Sequence, residues 1–157
     1  MDNSLMKAIY DNDVKLVKEL IDKGAEVNQA NTYGATPLYI AAQQGQLDVA
    51  RLLLDRGADV NWTNTYGRTP LHIAAGEGQF HVAQLLLDNG AEVNQARTTD
   101  GTTPLYIAAQ YGHTEIVDLL RTAQDHTKKT EPETDKIDSL FDKIERLEEI
   151  IKGKKNG

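Results

Sequence analysis

A seven-residue block that recurs along the chain constrains the fold more than any other feature of this sequence. It reads TPLYIAA at 36–42, TPLHIAA at 69–75 and TPLYIAA at 103–109. The second copy follows the first by 33 residues, and the third follows the second by 34. Self-similarity at a fixed period of roughly 20–50 residues is typical of proteins that stack one structural unit several times. The sequence therefore predicts an array of stacked units.

Each unit carries the signals of two short helices and a turn. Thr36 is a good N-cap, and Pro37 falls at the first helical position, where its missing N–H costs nothing. Gly45 interrupts the pattern, and a second helix begins near Leu47 with apolar residues at helical spacing. Gly57 is placed to end that second helix. The following residues run out into a turn before the next block.

The order helix, helix, turn at a period of 33 residues resembles the ankyrin repeat, whose signature includes T-P-L-H-x-A. The resemblance covers about residues 4–121. It implies an all-α ankyrin-repeat solenoid, built of helix–turn–helix units with β-turn tips, in a domain at 1–121. The first unit lacks the block, and its extra polar residues predict an N-terminal cap. The predicted units are about 1–31, 32–64, 65–97 and 98–121.

The chain beyond the repeats is predicted to contain a linker and one more helix. Residues 122–135 contain a single aliphatic side chain and one proline, which is typical of a polar linker. An amphipathic helix is predicted at 136–152, and a frayed tail at 153–157. The apolar stripe of this helix follows a heptad spacing and consists of Ile137, Leu140, Ile144, Leu147 and Ile151.

Three roles for this C-terminal helix remain open on the sequence alone. An isolated helix of this length is marginal in water, so its apolar stripe needs a surface to pack against. In the first alternative it folds back as a cap over the last repeat. In the second it forms a coiled coil that makes the protein a homo-oligomer, although just over two heptads is shorter than such an assignment usually requires. In the third it docks on another protein.

Composition excludes several classes of function. The formal net charge is −7, whereas a dedicated nucleic-acid-binding protein carries a basic face. The chain has no cysteine for a thiol nucleophile or a thiolate metal site, and no apolar run long enough for a membrane span. The N-terminus lacks the pattern of a secretory signal. We therefore expect a cytoplasmic protein, with the nucleus as the alternative, that binds neither nucleic acid nor membrane.

No arrangement of residues predicts catalysis, a metal site or a cofactor. The two serines, Ser4 and Ser139, lie at opposite ends of the chain, so neither belongs to a recognisable nucleophilic triad. No metal-ligand spacing such as H-E-x-x-H occurs. The family resemblance makes His72 and His113 structural residues. The sequence therefore predicts that the protein is not an enzyme.

The resemblance implies a protein-binding surface on the concave side, formed by the turn tips and the ends of the first helices. Aromatic residues and arginine are enriched among residues that dominate binding energy, so Trp62, Tyr66 and Arg68 are predicted to be its energetic centre. Trp62 also breaks the internal symmetry, because the equivalent positions hold glutamine. The other predicted contacts are Thr32, Tyr33, Ala35, Gln43, Gln44, Thr65, Glu77, Thr99, Asp100, Thr102, Gln110 and Tyr111.

Two sets of repeated residues have a second interpretation. Tyr33 and Tyr66 occupy equivalent positions, so the alternative is that they are spacers packed on the neighbouring turn. Asn28, Asn61 and Asn94 also recur in register. The resemblance implies that these asparagines are either structural or substrates for hydroxylation.

The predicted function is a non-enzymatic protein–protein interaction module that acts as an adaptor, scaffold or regulatory binder. The acidic repeat region favours basic or neutral partners. The alternative is a structural protein that assembles with itself. In that case the C-terminal helix oligomerises and the repeats serve as a rigid spacer.

Overall fold

The computed structural model describes residues 3–129 and 142–151, and every regular element within them is a helix. This confirms the predicted all-α fold. Contacts divide the chain into one compact unit that ends at Ala123 and a second that begins at Gln124. The helices are α1 (Ser4–Tyr10), α2 (Val14–Asp22), α3 (Pro37–Gln44), α4 (Leu47–Asp55), α5 (Pro70–Gly76), α6 (Phe80–Asp88), α7 (Pro104–Gln110), α8 (Thr114–Lys129) and α9 (142–151).

The threonine of each repeated block starts a helix, as predicted. Oγ1 of Thr36, Thr69 and Thr103 accepts a hydrogen bond of 3.3 Å from the backbone N–H three residues later. A proline follows at the first position of α3, α5 and α7. The threonine thereby satisfies one of the N–H groups that have no partner inside the helix. The same local chemistry places equivalent first helices at equivalent points of the array.

First helices pack on first helices, and second helices on second helices. Helix α5 contacts both α3 and α7, and α4 contacts both α2 and α6. The alanine pairs 41–42 and 74–75 are fully buried, because their small side chains let neighbouring helices approach closely. Leu38 and Leu71 of the repeated block are also fully buried. The hydrophobic core therefore continues from one helix pair to the next.

Asparagine side chains join consecutive repeats at the base of each loop. Nδ2 of Asn28 donates to the Gly57 carbonyl at 3.1 Å, and its Oδ1 accepts from the Asp59 N–H at 2.8 Å. Asn61 makes the same two bonds one repeat further on, at 3.2 Å and 2.8 Å. Asn28 and Asn61 are therefore structural residues. Whether they are also hydroxylated stays a prediction.

Part of the predicted linker at 122–135 is helical in the structure. Helix α8 continues to Lys129, so residues 122–129 are helical and not linker. The prediction was wrong because a shortage of apolar residues does not by itself end a helix. The chain holds neither glycine nor proline between His113 and Pro132. Thr122 adds a hydrogen bond of 2.9 Å from its hydroxyl to the Asp118 carbonyl, and Ala123 packs against the core.

The C-terminal helix is present in the part that the structure describes. Helix α9 covers 142–151 of the predicted 136–152, and its side chains Ile144, Leu147 and Ile151 are exposed. Ile137 and Leu140, the other members of the predicted stripe, lie outside the described residues, as do the predicted tail at 153–157 and residues 130–135 of the predicted linker. The partner surface of this helix stays a prediction.

Candidate functional site

In each of the first two turn tips, one asparagine side chain accepts two backbone hydrogen bonds. Oδ1 of Asn31 accepts from the N–H of Tyr33 at 2.9 Å and from that of Ala35 at 3.0 Å. Oδ1 of Asn64 accepts from the N–H of Tyr66 and from that of Arg68, both at 3.0 Å. Asparagine favours such turns because its short side chain bonds the backbone two residues on. The tips are thus held in one defined backbone shape.

Consecutive tips are bonded to one another. The Thr65 N–H and hydroxyl both donate to the Tyr33 carbonyl, at 3.1 Å and 3.0 Å. Gly34 has a positive φ of 73°, and a Cβ there would lie 2.9 Å from the Thr65 nitrogen. Only glycine fits such a backbone without strain. The tip row is therefore pre-ordered before any partner arrives.

Trp62 has a structural contact that the sequence did not reveal. Its indole Nε1–H donates to the Gly34 carbonyl at 3.2 Å, so the ring lies against the preceding turn. The side chain is nevertheless 39% exposed. The break in repeat symmetry at this position therefore has a packing reason, and the ring also keeps surface for a partner.

The predicted contacts at the tips divide by exposure. Tyr33 and Tyr66 are 65% and 54% exposed, which does not fit side chains that serve only as packed spacers. Thr32, Thr65 and Thr99 are also exposed. Ala35 is the exception, because it is 5% exposed and belongs to the hydrophobic core. The prediction that Ala35 contacts a partner was wrong, since its methyl group points into the protein.

A groove of about 590 Å³ lies between α5 and α7 and the turns that precede them. It brings together predicted contacts from the second turn, the third turn and two first-helix ends. The exposed Gln43 and Gln44, Trp62 and the residues of the first tip are not part of its lining. The groove is lined by Arg68, His72, Ile73, Gly76, Glu77, Arg97, Asp100, Thr102, Tyr106, Ile107, Gln110 and Tyr111.

Arg97 and Asp100 form an ion pair at one end of this groove. Arg97 Nε donates to Asp100 Oδ1 at 3.0 Å, and its Nη2 contacts Asp100 Oδ2. Hydrogen bonds from Thr102, together with Arg97, hold the pKa of the Asp100 carboxyl well below its usual range. Arg97 was missed at the level of sequence. It stands one period after Asn64, so its departure from asparagine was a signal of the same kind as Trp62.

His72 and His113 have structural roles. His72 Nδ1 accepts from the Thr69 N–H at 3.1 Å, which leaves its Nε2–H to donate to the Thr102 carbonyl at 3.1 Å. Burial lowers the pKa of His72, and the nearby Arg97 and Arg68 lower it further. His113 Nε2 lies 2.9 Å from the Gly76 carbonyl of the preceding repeat.

The described residues offer no candidate for a membrane span or a metal site. Among residues 3–129 and 142–151 no helix is long and apolar enough to cross a membrane. In the same ranges no cluster of three or more histidine, cysteine, aspartate or glutamate side chains is arranged to hold a metal ion.

Comparison with known proteins identifies the repeats. A family model described as ankyrin repeats (3 copies) matches residues 2–64 and 56–131. A 2-5A-dependent ribonuclease from Mus musculus is 44% identical over 52 residues, which is 32% of this chain and 7% of the ribonuclease. The chain thus spans only a small fraction of the length of that curated relative.

Proposed function

This chain belongs to the ankyrin-repeat family, and we propose that it is a non-enzymatic module that holds another protein against its turn tips and first helices. Ankyrin repeats are generally protein–protein interaction modules. The observation that carries the proposal is the groove between α5 and α7, which gathers charged and aromatic side chains on one face. Whether the module acts as an adaptor, a scaffold or a regulator depends on which protein it binds.

The chemistry of this face supports binding of a protein. Arg68 and Tyr111 both line the groove, and Tyr111 is 65% exposed. Tyr66, which is 54% exposed, lies outside the groove lining in the same turn as Arg68. Tyrosine, tryptophan and arginine are the side chains that most often dominate binding energy. The tips are already joined by hydrogen bonds, so binding costs less conformational entropy than it would on a loose loop.

A non-enzymatic role is supported by what the histidines do. Both ring nitrogens of His72 are hydrogen-bonded, to Thr69 and to Thr102, and Nε2 of His113 is hydrogen-bonded to the Gly76 carbonyl. The name of the mouse relative states a ribonuclease activity, but the matched segment is 7% of that protein. The similarity therefore gives no support for ribonuclease activity in this chain. A cytoplasmic location stays a prediction that imaging of the tagged protein tests.

Site-specific photo-crosslinking tests the proposal. A photoreactive phenylalanine analogue replaces Tyr111 in the groove, and in a matched variant it replaces Gln84, which is exposed on α6. We expect a discrete protein to be captured in cells from position 111 and not from position 84. Equal capture from both positions, or capture from 84 alone, contradicts binding on this face.

The second candidate function is self-assembly through α9. Ile144, Leu147 and Ile151 are exposed on this helix at spacings of three and four residues, which is the spacing of a coiled-coil stripe. If this candidate is right, the full chain sediments as an oligomer and Leu147→Asp converts it to a monomer. A chain that is monomeric at all concentrations excludes this candidate.

A further inference from the structure

Arg68 is not required by the turn in which it lies. Its N–H donates to Asn64 Oδ1 at 3.0 Å, and its carbonyl accepts from the Asn64 N–H at 3.0 Å. The equivalent positions in the neighbouring repeats hold Ala35 and Thr102. The Ala35 N–H makes the same bond to Asn31 at 3.0 Å, and the Thr102 N–H bonds the Asp100 carboxylate two residues earlier, also at 3.0 Å. The turns of the three repeats thus form with a methyl group, a hydroxyl or a cation at this position.

The guanidinium of Arg68 has unused hydrogen-bonding capacity. Its Nε is buried and has no acceptor in the described part of the chain. None of the ion pairs among the described residues includes Arg68. Burial raises the pKa of the Tyr39 hydroxyl, and the nearby Arg68 guanidinium opposes that shift. Arginine presents its N–H groups as a planar fork that matches the two oxygens of a carboxylate. An unsatisfied buried donor is a feature that calls for a specific explanation.

The two acidic side chains that line the groove do not pair with Arg68. Asp100 is committed to Arg97 and Thr102, so its charge is already neutralised. Glu77 is exposed at the end of α5 and makes no ion pair within the described residues. The groove thus offers a cation at Arg68 that lacks a carboxylate, and a separate carboxylate at Glu77.

We infer that the groove receives an internal segment of the partner protein that carries an acidic side chain, and that this carboxylate docks on the Arg68 guanidinium. The inference rests on the proposed function. The groove volume of about 590 Å³ accommodates a short peptide segment. Tyr106 and Tyr111 are largely exposed along the same groove and offer aromatic surface to a neighbouring apolar residue.

Recognition of an acid is compatible with the net charge of −7. Exposed charges farther away than about 8 Å are largely screened at physiological ionic strength, whereas a paired, partly buried arginine is screened much less. The overall acidity of the chain therefore affects the rate of encounter more than the bond at Arg68. The partner segment is expected to combine one acidic residue with apolar neighbours and not to be acidic throughout.

The test is an NMR titration of the full chain labelled with nitrogen-15, in which the side-chain Nε–H signals of arginine are observed. The probes are a short peptide, blocked at both ends, with one glutamate followed by leucine, and the same peptide with glutamine in place of glutamate. We expect the glutamate peptide to shift the Arg68 Nε–H signal and to bind at least about tenfold more tightly. The signal of Arg51, which is exposed on α4, should not move.

The matched variants come from the repeat itself. Arg68→Ala and Arg68→Thr install the residues found at positions 35 and 102, so they are expected to fold. Both should reduce binding of the glutamate peptide to the level of the glutamine peptide. Glu77→Gln removes a like charge from the groove and should tighten binding of the glutamate peptide.

Three results overturn the inference. They are no binding of the glutamate peptide, equal binding of both peptides, and equal shifts at Arg68 and Arg51, which indicate non-specific ion pairing. Capture of a protein from position 111 together with any of these results leaves the proposed function standing and refutes only the acidic segment. Specific binding of the glutamate peptide without capture from position 111 refutes the proposed function and leaves recognition of a carboxylate by Arg68 standing.

Discussion

The seams between repeats, which are the hydrogen-bonded contacts of Asn28 and Asn61 with the next repeat, differ from the groove across α5 and α7. Side chains are repeated at the seams and vary between repeats at the groove. At the seams, Asn28 and Asn61 make the same pair of hydrogen bonds in successive repeats, with lengths that agree within about 0.1 Å. In the groove, Arg68 occupies a position that is not repeated, because the equivalent residues are Ala35 and Thr102. Ala35 is buried, Arg68 faces the groove, and Thr102 bonds Asp100.

This difference separates residues that build the array from residues that are free to vary. A seam residue is repeated because each repeat presents the same backbone groups to the next one. Arg68, by contrast, is tied to its turn through its backbone, which bonds Asn64. Replacing a seam residue should therefore change the stability of the protein, and replacing a groove residue should change what it binds.

The largest expected effect is the loss of two seams at once. Asn28→Ala with Asn61→Ala removes four hydrogen bonds between repeats. Each contributes a net of roughly 0.5–1.5 kcal/mol, so we expect the free energy of unfolding to fall by about 2–6 kcal/mol. Urea denaturation followed by circular dichroism measures this change. Each single variant serves as a control and should show about half of the loss, because the two seams are separate.

A smaller effect is expected from pH, through His72. Burial places the folded-state pKa of His72 below its ordinary value of about 6.5, and the two neighbouring arginines act in the same direction. The unfolded chain therefore binds more protons than the folded chain as the pH falls below about 6.5. Stability is fully present above that pH and is lost as the pH falls toward the folded-state pKa. The aspartates with lowered pKa lose their contribution only below about pH 4.

Denaturation curves between about pH 7 and pH 5 check this expectation. The control is His72→Tyr, which installs the residue of the equivalent positions 39 and 106 and does not titrate in this range. The slope of stability against pH should be smaller in the variant. An identical slope in both proteins would assign the pH dependence to other groups.

The smallest effect on stability is expected in the groove. Arg68→Ala removes a side chain that has an unsatisfied Nε and makes no ion pair among the described residues. We expect the free energy of unfolding to change by no more than about 1 kcal/mol, because no ion pair is lost and one unsatisfied donor is removed. Thermal unfolding of Arg68→Ala beside Arg68→Thr measures the change. A loss of stability as large as that of the double asparagine variant would show that the Arg68 side chain is required to stabilise the fold.

The sequence predicted the array because its signals are local. A threonine followed by proline starts a helix at 36, 69 and 103, and its repetition at a fixed period implies stacking. The register of the asparagines was also visible. Their bonding partners were not, since each partner lies 29 or 31 residues away, in the next repeat.

The site was only partly predictable, because alignment of repeats does not say where a side chain points. Ala35 was carried over with its neighbours, although its methyl group enters the core. The ion pair of Arg97 and Asp100 was missed because an inserted residue alters the third turn, where the asparagine is replaced. Trp62 was recognised as exceptional, but its bond to Gly34 depends on contact between turns.

The most direct test of the division between seam and groove is the yield of photo-crosslinked partner from position 111, measured at a temperature where all variants are folded. We expect Arg68→Ala to reduce this yield by about tenfold or more and Asn61→Ala to leave it within about twofold of the unsubstituted protein. If Arg68→Ala retains the full yield, or if both variants lose it equally, binding does not depend on the unrepeated residues of the groove and the account is wrong.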